Sequence, residues 1–312
     1  MPEATHHLLA VDLFPEAFLA ELGRLPGVTI DYRPLAPHDV LLPRLAEADI
    51  LLCRSHLPLG ADTLAQAPRL RLILRPGVGL EHIDLAACDA RGIAVVSTPG
   101  ANADSVGEHA VGLLLSLLHR LTRADGEIRR GEWRREPNRG TELGACTVGI
   151  VGYGHTGSAV ARKLQGFGCR VLAYDKYKTG FTAPGLVEEV PLRRLYAEAD
   201  VLTLHVPLTD ETRHLVTADY LERFARPIWL LNLSRGPVVV LEDLVAALRA
   251  GQVRGAGLDV YPAEPPFDLP AFAALRELPN VVLTPHTAGW SQQSQANEFA
   301  RIVAALESYV AE

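Results

Sequence analysis

The segment Val148-Gly149-Ile150-Val151-Gly152-Tyr153-Gly154-His155-Thr156-Gly157 carries glycines in the spacing G-x-G-x-x-G, directly after an apolar run and at the start of a helical pattern reaching Phe167. Each glycine has a separate task in holding a dinucleotide. Gly152 permits a tight turn, Gly154 lets a pyrophosphate approach the backbone, and Gly157 lets the helix lie close to the strand. The free N–H groups and partial positive charge of the helix N-terminus complete an anion site. The next apolar run ends in Tyr174-Asp175, where an acid would accept from the adenosine ribose hydroxyls and repel a 2′-phosphate, favouring NAD over NADP. Lys176 and Lys178 pull the other way if either swings toward a phosphate. Taken alone, the motif also fits a plain turn followed by an exposed acid.

Such a motif needs a parallel sheet behind it, and the chain supplies alternating β-rich and helical patterns over nearly its whole length. Strands are predicted at His7–Asp12, Val28–Arg33, Asp49–Arg54, Leu70–Leu74 and Ile93–Thr98, with helical pieces at Pro15–Leu25 and Val40–Ala48. Ser105-Val106-Gly107-Glu108 reads as a capping box opening a helix over His109–Leu121. A charged stretch, Arg129 to Glu142, follows. A second series of strands is predicted at Thr147–Val151, Arg170–Tyr174, Val201–His205, Ile228–Leu233, Gly255–Val260 and Val281–Thr284. The last helix, Gln292 to Val310, has no strand after it and is expected to return to the first series. The expected fold is α/β: two Rossmann-like or flavodoxin-like domains with parallel sheets and an active-site cleft between them. Residues 1–100 with 286–312 would bind substrate and 101–285 would bind NAD.

Composition narrows the classes. The 312 residues are 48% hydrophobic and 21% charged, enough apolar material for two cores. A net charge of −7 gives no reason to expect nucleic acid or an anionic membrane as partner, so an anionic substrate needs a local arginine cluster. Cys53, Cys88, Cys146 and Cys169 are scattered, as in a reducing compartment. The N-terminus does not read as a signal peptide, and the longest apolar stretch, near Ala110 to Leu118, is too short to span a bilayer. A cytoplasmic protein is expected. No histidine or cysteine spacing suggests a metal. His6, His7, His38, His119, His155 and His214 read as surface or loop residues.

Three further segments join the glycine motif: Asn232-Leu233-Ser234-Arg235-Gly236, Leu258-Asp259-Val260-Tyr261-Pro262-Ala263-Glu264-Pro265, and Thr284-Pro285-His286-Thr287-Ala288-Gly289. With Pro76-Gly77-Val78-Gly79 and His205-Val206-Pro207-Leu208-Thr209, they resemble the D-isomer-specific 2-hydroxyacid dehydrogenases from about Asp49 to Gly289. The resemblance implies that Arg235 holds the substrate carboxylate, His286 exchanges the proton of the C2 oxygen, and Glu264 bonds the other imidazole nitrogen. It implies cofactor contacts from Gly152, Gly154, His155, Thr156, Gly157, Asp175, His205, Val206, Pro207, Asp259 and Gly289. Elementary chemistry agrees. Hydride loss from a carbinol carbon needs a base titrating near neutrality, a carboxylate raises the pKa of a neighbouring imidazole, and a guanidinium fork matches a carboxylate. Singly, each residue also fits a bland role: a strand-end charge, a loop acid beside prolines, a structural histidine.

The loop Arg75-Pro76-Gly77-Val78-Gly79 should offer the amides of Gly77, Val78 and Gly79 to the carboxylate, Pro76 having none. Arg54 and Arg75 exceed what one carboxylate needs, and a phosphate would explain them. At Cys53-Arg54-Ser55, Arg75, Trp133–Gly140 and Tyr174–Lys178 the chain resembles short bacterial phosphoglycerate dehydrogenases, which implies a role in serine biosynthesis. Local pairing of the arginines with Glu81 or Asp84 is the alternative. The resemblance also implies a homodimer through the NAD-binding domain, with the helix after Ser105 and Arg129–Glu142 as contact surfaces and a residue near Arg134 or Arg135 reaching the partner's site. No regulatory domain is expected after the last helix. Two rivals remain: a glyoxylate, hydroxypyruvate or other 2-keto acid reductase, and a non-enzymatic NAD-sensing corepressor.

Overall fold

The computed structural model describes residues 5–311. Residues 1–4, where the reading of the N-terminus begins, lie outside the described residues. The chain forms two compact units. One runs to Asn102 and takes in the segment from Gln292; the other spans Ala103–Ser291. His286 to Ser291 therefore belong to the second unit, whereas the sequence reading assigned them to the first.

The first unit holds five parallel strands, β1 (His6–Ala10), β2 (Val28–Tyr32), β3 (Ile50–Leu52), β4 (Leu72–Arg75) and β5 (Ala94–Ser97), in the order β2-β1-β3-β4-β5. This is the flavodoxin-like arrangement, whose order reverses between β1 and β3. Leu8, Ile50, Leu52, Leu72 and Leu74 are buried among the side chains on one face of that sheet, as continuous apolar strands in a doubly covered sheet must be. Their cover includes the helix Gln292–Val310, which contributes Ile302, Val303 and Leu306 and stacks Phe299 on Phe18 at 3.9 Å between centroids. The last helix thus returns to the first series, as its unpaired position in sequence suggests.

The second unit has seven parallel strands: β6 (Thr147–Val151), β7 (Arg170–Tyr174), β8 (Glu188–Glu189), β9 (Val201–Leu204), β10 (Ile228–Asn232), β11 (Val253–Leu258) and β12 (Val281–Leu283). Their order is β12-β11-β10-β9-β6-β7-β8, the dinucleotide-binding arrangement with its reversal between β6 and β9. Ligands of such sheets lie beyond the carboxyl ends of the strands at that reversal, and Gly152 and His205 follow β6 and β9 there. β8 is a two-residue edge strand with no β-rich composition, and the sequence reading missed it.

The helix expected from His109 instead runs Ala103–Leu118. Ser105 is therefore inside it rather than capping it. Its hydroxyl donates to the Ala288 carbonyl at 2.7 Å, tying the helix to the loop that carries His286. The apolar positions Val106, Ala110, Leu113, Leu114 and Leu117 are buried at helical spacing. Among the described residues no helix is long and apolar enough to cross a membrane.

Candidate active site

The glycine motif has the form a dinucleotide requires. Gly152 has φ +91°, and a Cβ there would lie 2.4 Å from the His205 carbonyl oxygen. A Cβ on Gly157 would lie 2.0 Å from the Gly152 oxygen, so only glycine lets the helix His155–Leu164 start this close to β6. At Gly154 nothing lies within 4 Å of that position, leaving the helix N-terminus open to an approaching pyrophosphate. The residues present therefore fit the group.

Asp175, just past β7, accepts from the Tyr153 amide at 2.7 Å and from the Tyr177 and Lys178 amides at 2.9 Å each. Burial pushes its carboxyl up, but those three amides and Lys178 outweigh burial and hold it below the usual carboxylate range. An ionised acid here repels a 2′-phosphate. Lys176 is paired with Glu211 at 2.6 Å, and Lys178 donates to the Tyr153 carbonyl at 3.2 Å. His205 is buried, with Nε2 2.9 Å from the Thr203 hydroxyl, and burial pushes its pKa down to about 4. A pKa that low leaves it neutral at physiological pH.

Arg235 follows β10 on a turn locked from below. Asn232, 1% exposed at the strand end, accepts from the Ser234 amide at 3.1 Å and hydroxyl at 2.8 Å and donates to the Arg235 carbonyl at 3.0 Å. A Cβ on Gly236 would lie 1.8 Å from the Tyr261 carbonyl carbon, so that glycine sets the close approach of this turn to the next loop.

His286 Nδ1 lies 2.7 Å from Glu264 Oε2, and Glu264 Oε1 accepts from the Tyr261 amide at 3.1 Å. The Glu264 bond, the largest influence, raises the imidazole pKa above its ordinary value despite partial burial. Burial pushes Glu264 up, but His286, the Tyr261 amide and Arg235 together bring it below its ordinary value. Both residues are thus biased toward the ion pair, and with Nδ1 engaged Nε2 is the ring nitrogen that could exchange a proton.

The histidine backbone has φ +54°, a left-handed conformation that a non-glycine residue adopts at a cost of about 1–3 kcal/mol and keeps only where its surroundings impose it. The restraint comes from Asp259, 1% exposed at the end of β11. Its carbonyl accepts from the His286 amide at 2.8 Å. Its carboxylate accepts from the Thr284 hydroxyl at 2.6 Å and from the Thr287 and Ala288 amides at 2.9 Å each. His109 adds a contact to the Thr284 hydroxyl at 3.1 Å. Asn232, Ser105 and His109 were not singled out as site residues by sequence. The signal for Asn232 was a polar residue closing the apolar strand Ile228-Trp229-Leu230-Leu231-Asn232.

The first unit has its own cluster at the β1/β3 reversal. Asp12 accepts from the Arg54 amide at 2.6 Å. Arg54 and Arg75 each donate through Nη1 to the same oxygen, the Pro76 carbonyl, at 3.3 and 3.0 Å. Arg75 lies so close over the loop that a Cβ on Gly77 would fall 1.4 Å from its Nη1. The Gly77 amide donates to the Thr98 hydroxyl at 2.8 Å, so of the three amides expected to receive a carboxylate it is already engaged, leaving Val78 and Gly79 for that role. Arg54 is in contact with Glu298, at 3.4 Å. Glu298 sits on the last helix, where an isolated acid reads as a solvated face, and nothing in the sequence signals its burial.

The family profile described as D-isomer specific 2-hydroxyacid dehydrogenase, NAD binding domain, matches residues 111–288. The chain is 40% identical over 289 residues to D-3-phosphoglycerate dehydrogenase of Mycobacterium tuberculosis, covering 92% of this chain and 54% of that one. It thus spans about half the length of the mycobacterial relatives it matches. It is 37% identical over 257 residues to hydroxypyruvate reductase of Thermotoga maritima, covering 82% and 83%. Among solved structures, the TT0316 protein of Thermus thermophilus superposes with a TM-score of 0.85 at 33% identity, covering 95% and 94%. D-lactate dehydrogenase of Aquifex aeolicus, complexed with NAD and lactic acid, gives a TM-score of 0.85 at 28% identity, covering 98% and 96%.

Proposed function

The chain belongs to the D-isomer-specific 2-hydroxyacid dehydrogenase family, and on that premise we propose that it is an NAD-dependent dehydrogenase whose substrate is D-3-phosphoglycerate. The observation that carries the reaction type is the His286–Glu264 pair at 2.7 Å on a restrained loop beside the turn of Arg235. Arg235 holds the carboxylate and the oxygen next to it. His286 Nε2 takes the C2 hydroxyl proton as the C2–H bond breaks, and Glu264 stabilises the imidazolium that results. Gly152, Gly154 and Gly157 would hold NAD, with Asp175 at its ribose, and bound NAD would supply the hydride acceptor, giving a 2-keto acid, NADH and a proton. In the reverse direction His286 returns the proton to the carbonyl oxygen.

Support for a phosphorylated substrate is the convergence of Arg54 and Arg75 on one carbonyl oxygen. Two guanidinium groups held that close repel each other, and a dianion would relieve the repulsion. One observation favours the rival reading, a hydroxypyruvate or glyoxylate reductase: Glu298 already neutralises part of that charge. Steady-state turnover with D-3-phosphoglycerate, D-glycerate, D-lactate, glyoxylate and hydroxypyruvate separates them. Preference for phosphoglycerate sustains the proposal, and preference for an unphosphorylated acid moves it to the rival. No turnover with bound NAD would end both.

A homodimer through the second unit accords with exposed Leu121 and Trp133, one on each of the two surfaces expected to meet a partner. Sedimentation equilibrium giving a monomer would overturn it. The four unpaired cysteines accord with a cytoplasmic setting.

A further inference from the structure

Glu298 is a carboxylate with an unusual position. Its side chain is 7% exposed, that of Arg54 is 15% exposed, and they meet at 3.4 Å, longer than a well-formed charged hydrogen bond. Both guanidinium groups spend an Nη1 on the Pro76 carbonyl instead, and the buried Arg75 Nε has no hydrogen-bond partner. The acid therefore balances charge from a loose contact rather than a close one. While it is ionised, the Arg54, Arg75 and Glu298 group carries one net positive charge; with Glu298 protonated it carries two.

A phosphate monoester carries close to two negative charges above pH 7. Placed against an ionised Glu298, it meets a like charge in a site with little water, where such repulsion is costly. We propose that Glu298 is a specificity-determining residue of this site: it takes up a proton when a dianionic group binds to Arg54 and Arg75, and when ionised it turns the site toward acids whose distal group is uncharged. This rests on reading Arg54 and Arg75 as the receptor of the substrate's distal group.

The surroundings allow the proton to arrive. Burial already pushes the Glu298 carboxyl up, against the pull of Arg54 and Arg75, and burial lowers Arg75. The charged groups acting on Glu298 are those two arginines. Cys53 from the end of β3 and Glu81 from the loop after β4 act on Arg75, and Asp12 from the end of β1 is bonded to the Arg54 amide. His82 is held neutral by burial and by Arg75, so it does not compete for the proton. The other polar side chains of the last helix with recorded partners, Asn297 and Arg301, bond the carbonyls of Ala101 and Pro99.

The test is the ratio of kcat/KM for D-3-phosphoglycerate to kcat/KM for D-glycerate between pH 7 and 9. The titration of His286 is common to both substrates and cancels, and the phosphate stays dianionic throughout. In the wild-type enzyme the ratio is expected to fall by about tenfold across that range. In Glu298→Gln it is expected to be flat and, at pH 9, about tenfold higher than in the wild type. Calorimetry of phosphoglycerate binding to the wild-type protein, in two buffers of different ionisation enthalpy at pH 8, should show net proton uptake, absent for glycerate and absent in Glu298→Gln. A flat wild-type ratio with both substrates turned over would overturn the inference, as would proton uptake that persists in Glu298→Gln. Failure of both substrates to turn over would count against the proposed function instead, and the calorimetry would still decide the role of Glu298.

Discussion

Each unit places a carboxylate beside a cation, and the two arrangements behave in opposite ways. Glu264 and His286 meet at 2.7 Å with side chains 37% and 50% exposed, and each shifts the other toward its charged form. Glu298 and Arg54 meet at 3.4 Å with little exposure; there burial raises the carboxyl and lowers the neighbouring Arg75, so both shifts resist charge. Short contact with water nearby rewards an ion pair. Loose contact without water makes the same pair sensitive to whatever charge arrives. The first suits a proton exchanger and the second a receptor that measures charge.

The largest expected effect breaks the first arrangement outright. His286→Ala should lower kcat by about 10²–10⁴-fold, the usual contribution of a positioned acid–base group. NAD binding, followed by calorimetry, should survive, and an active variant would remove His286 from the mechanism. Arg54→Ala attacks the second. It should cost about 10- to 100-fold in kcat/KM for phosphoglycerate, the range for a lost charged hydrogen bond, with glycerate changed by less than about threefold. Equal losses for both acids would mean that Arg54 does not read the distal group.

Glu264→Gln sharpens the comparison by removing the charge that raises the imidazole. Oxidation needs His286 neutral, so wild-type activity should fall as pH drops through a pKa above the usual histidine value of about 6.5. In Glu264→Gln that acid limb should move to lower pH, with kcat reduced by about tenfold. A pH profile that does not move would show that Glu264 leaves His286 unperturbed. The smallest effect lies outside both pairs. Asp175→Ala should narrow the preference for NAD over NADP by about tenfold, roughly the worth of one charged hydrogen bond. An unchanged ratio would mean that the carboxylate serves only the three amides it already accepts.

What could be read from the sequence follows from how local each signal is. β6 and β7 match the expected Thr147–Val151 and Arg170–Tyr174 because apolar residues and punctuating glycines bracket them. Most other expected strands overran by one or two residues, since propensity continues past the last ladder bond. Ser105 misled because its spacing to Glu108 satisfies a capping rule, while the bond that matters lies 183 residues away, at Ala288. The same holds at the site. Arg235, Glu264 and His286 stand in short motifs and were legible by type. Asp259 and Glu298 act through partners distant in sequence, and Asn232 through near neighbours, Ser234 and Arg235, at a buried strand end; Asp259, expected to touch cofactor, accepts from Thr284, Thr287 and Ala288 and lies 3.7 Å from His109. Register and burial decide such roles, and neither is written locally.

The last helix has a consequence for the order in which the chain acquires structure during synthesis. Ile302, Val303 and Leu306 complete the apolar cluster around Leu8, Phe18 and Leu52, yet leave the ribosome more than 200 residues after β5. Until then that face of the first sheet has Phe14, Phe18 and Leu22 against it but lacks the last helix, while every residue of the second unit has already emerged. The unit begun first is finished last, so the nascent protein carries an exposed apolar surface through most of its elongation, the period in which holdase chaperones would meet it.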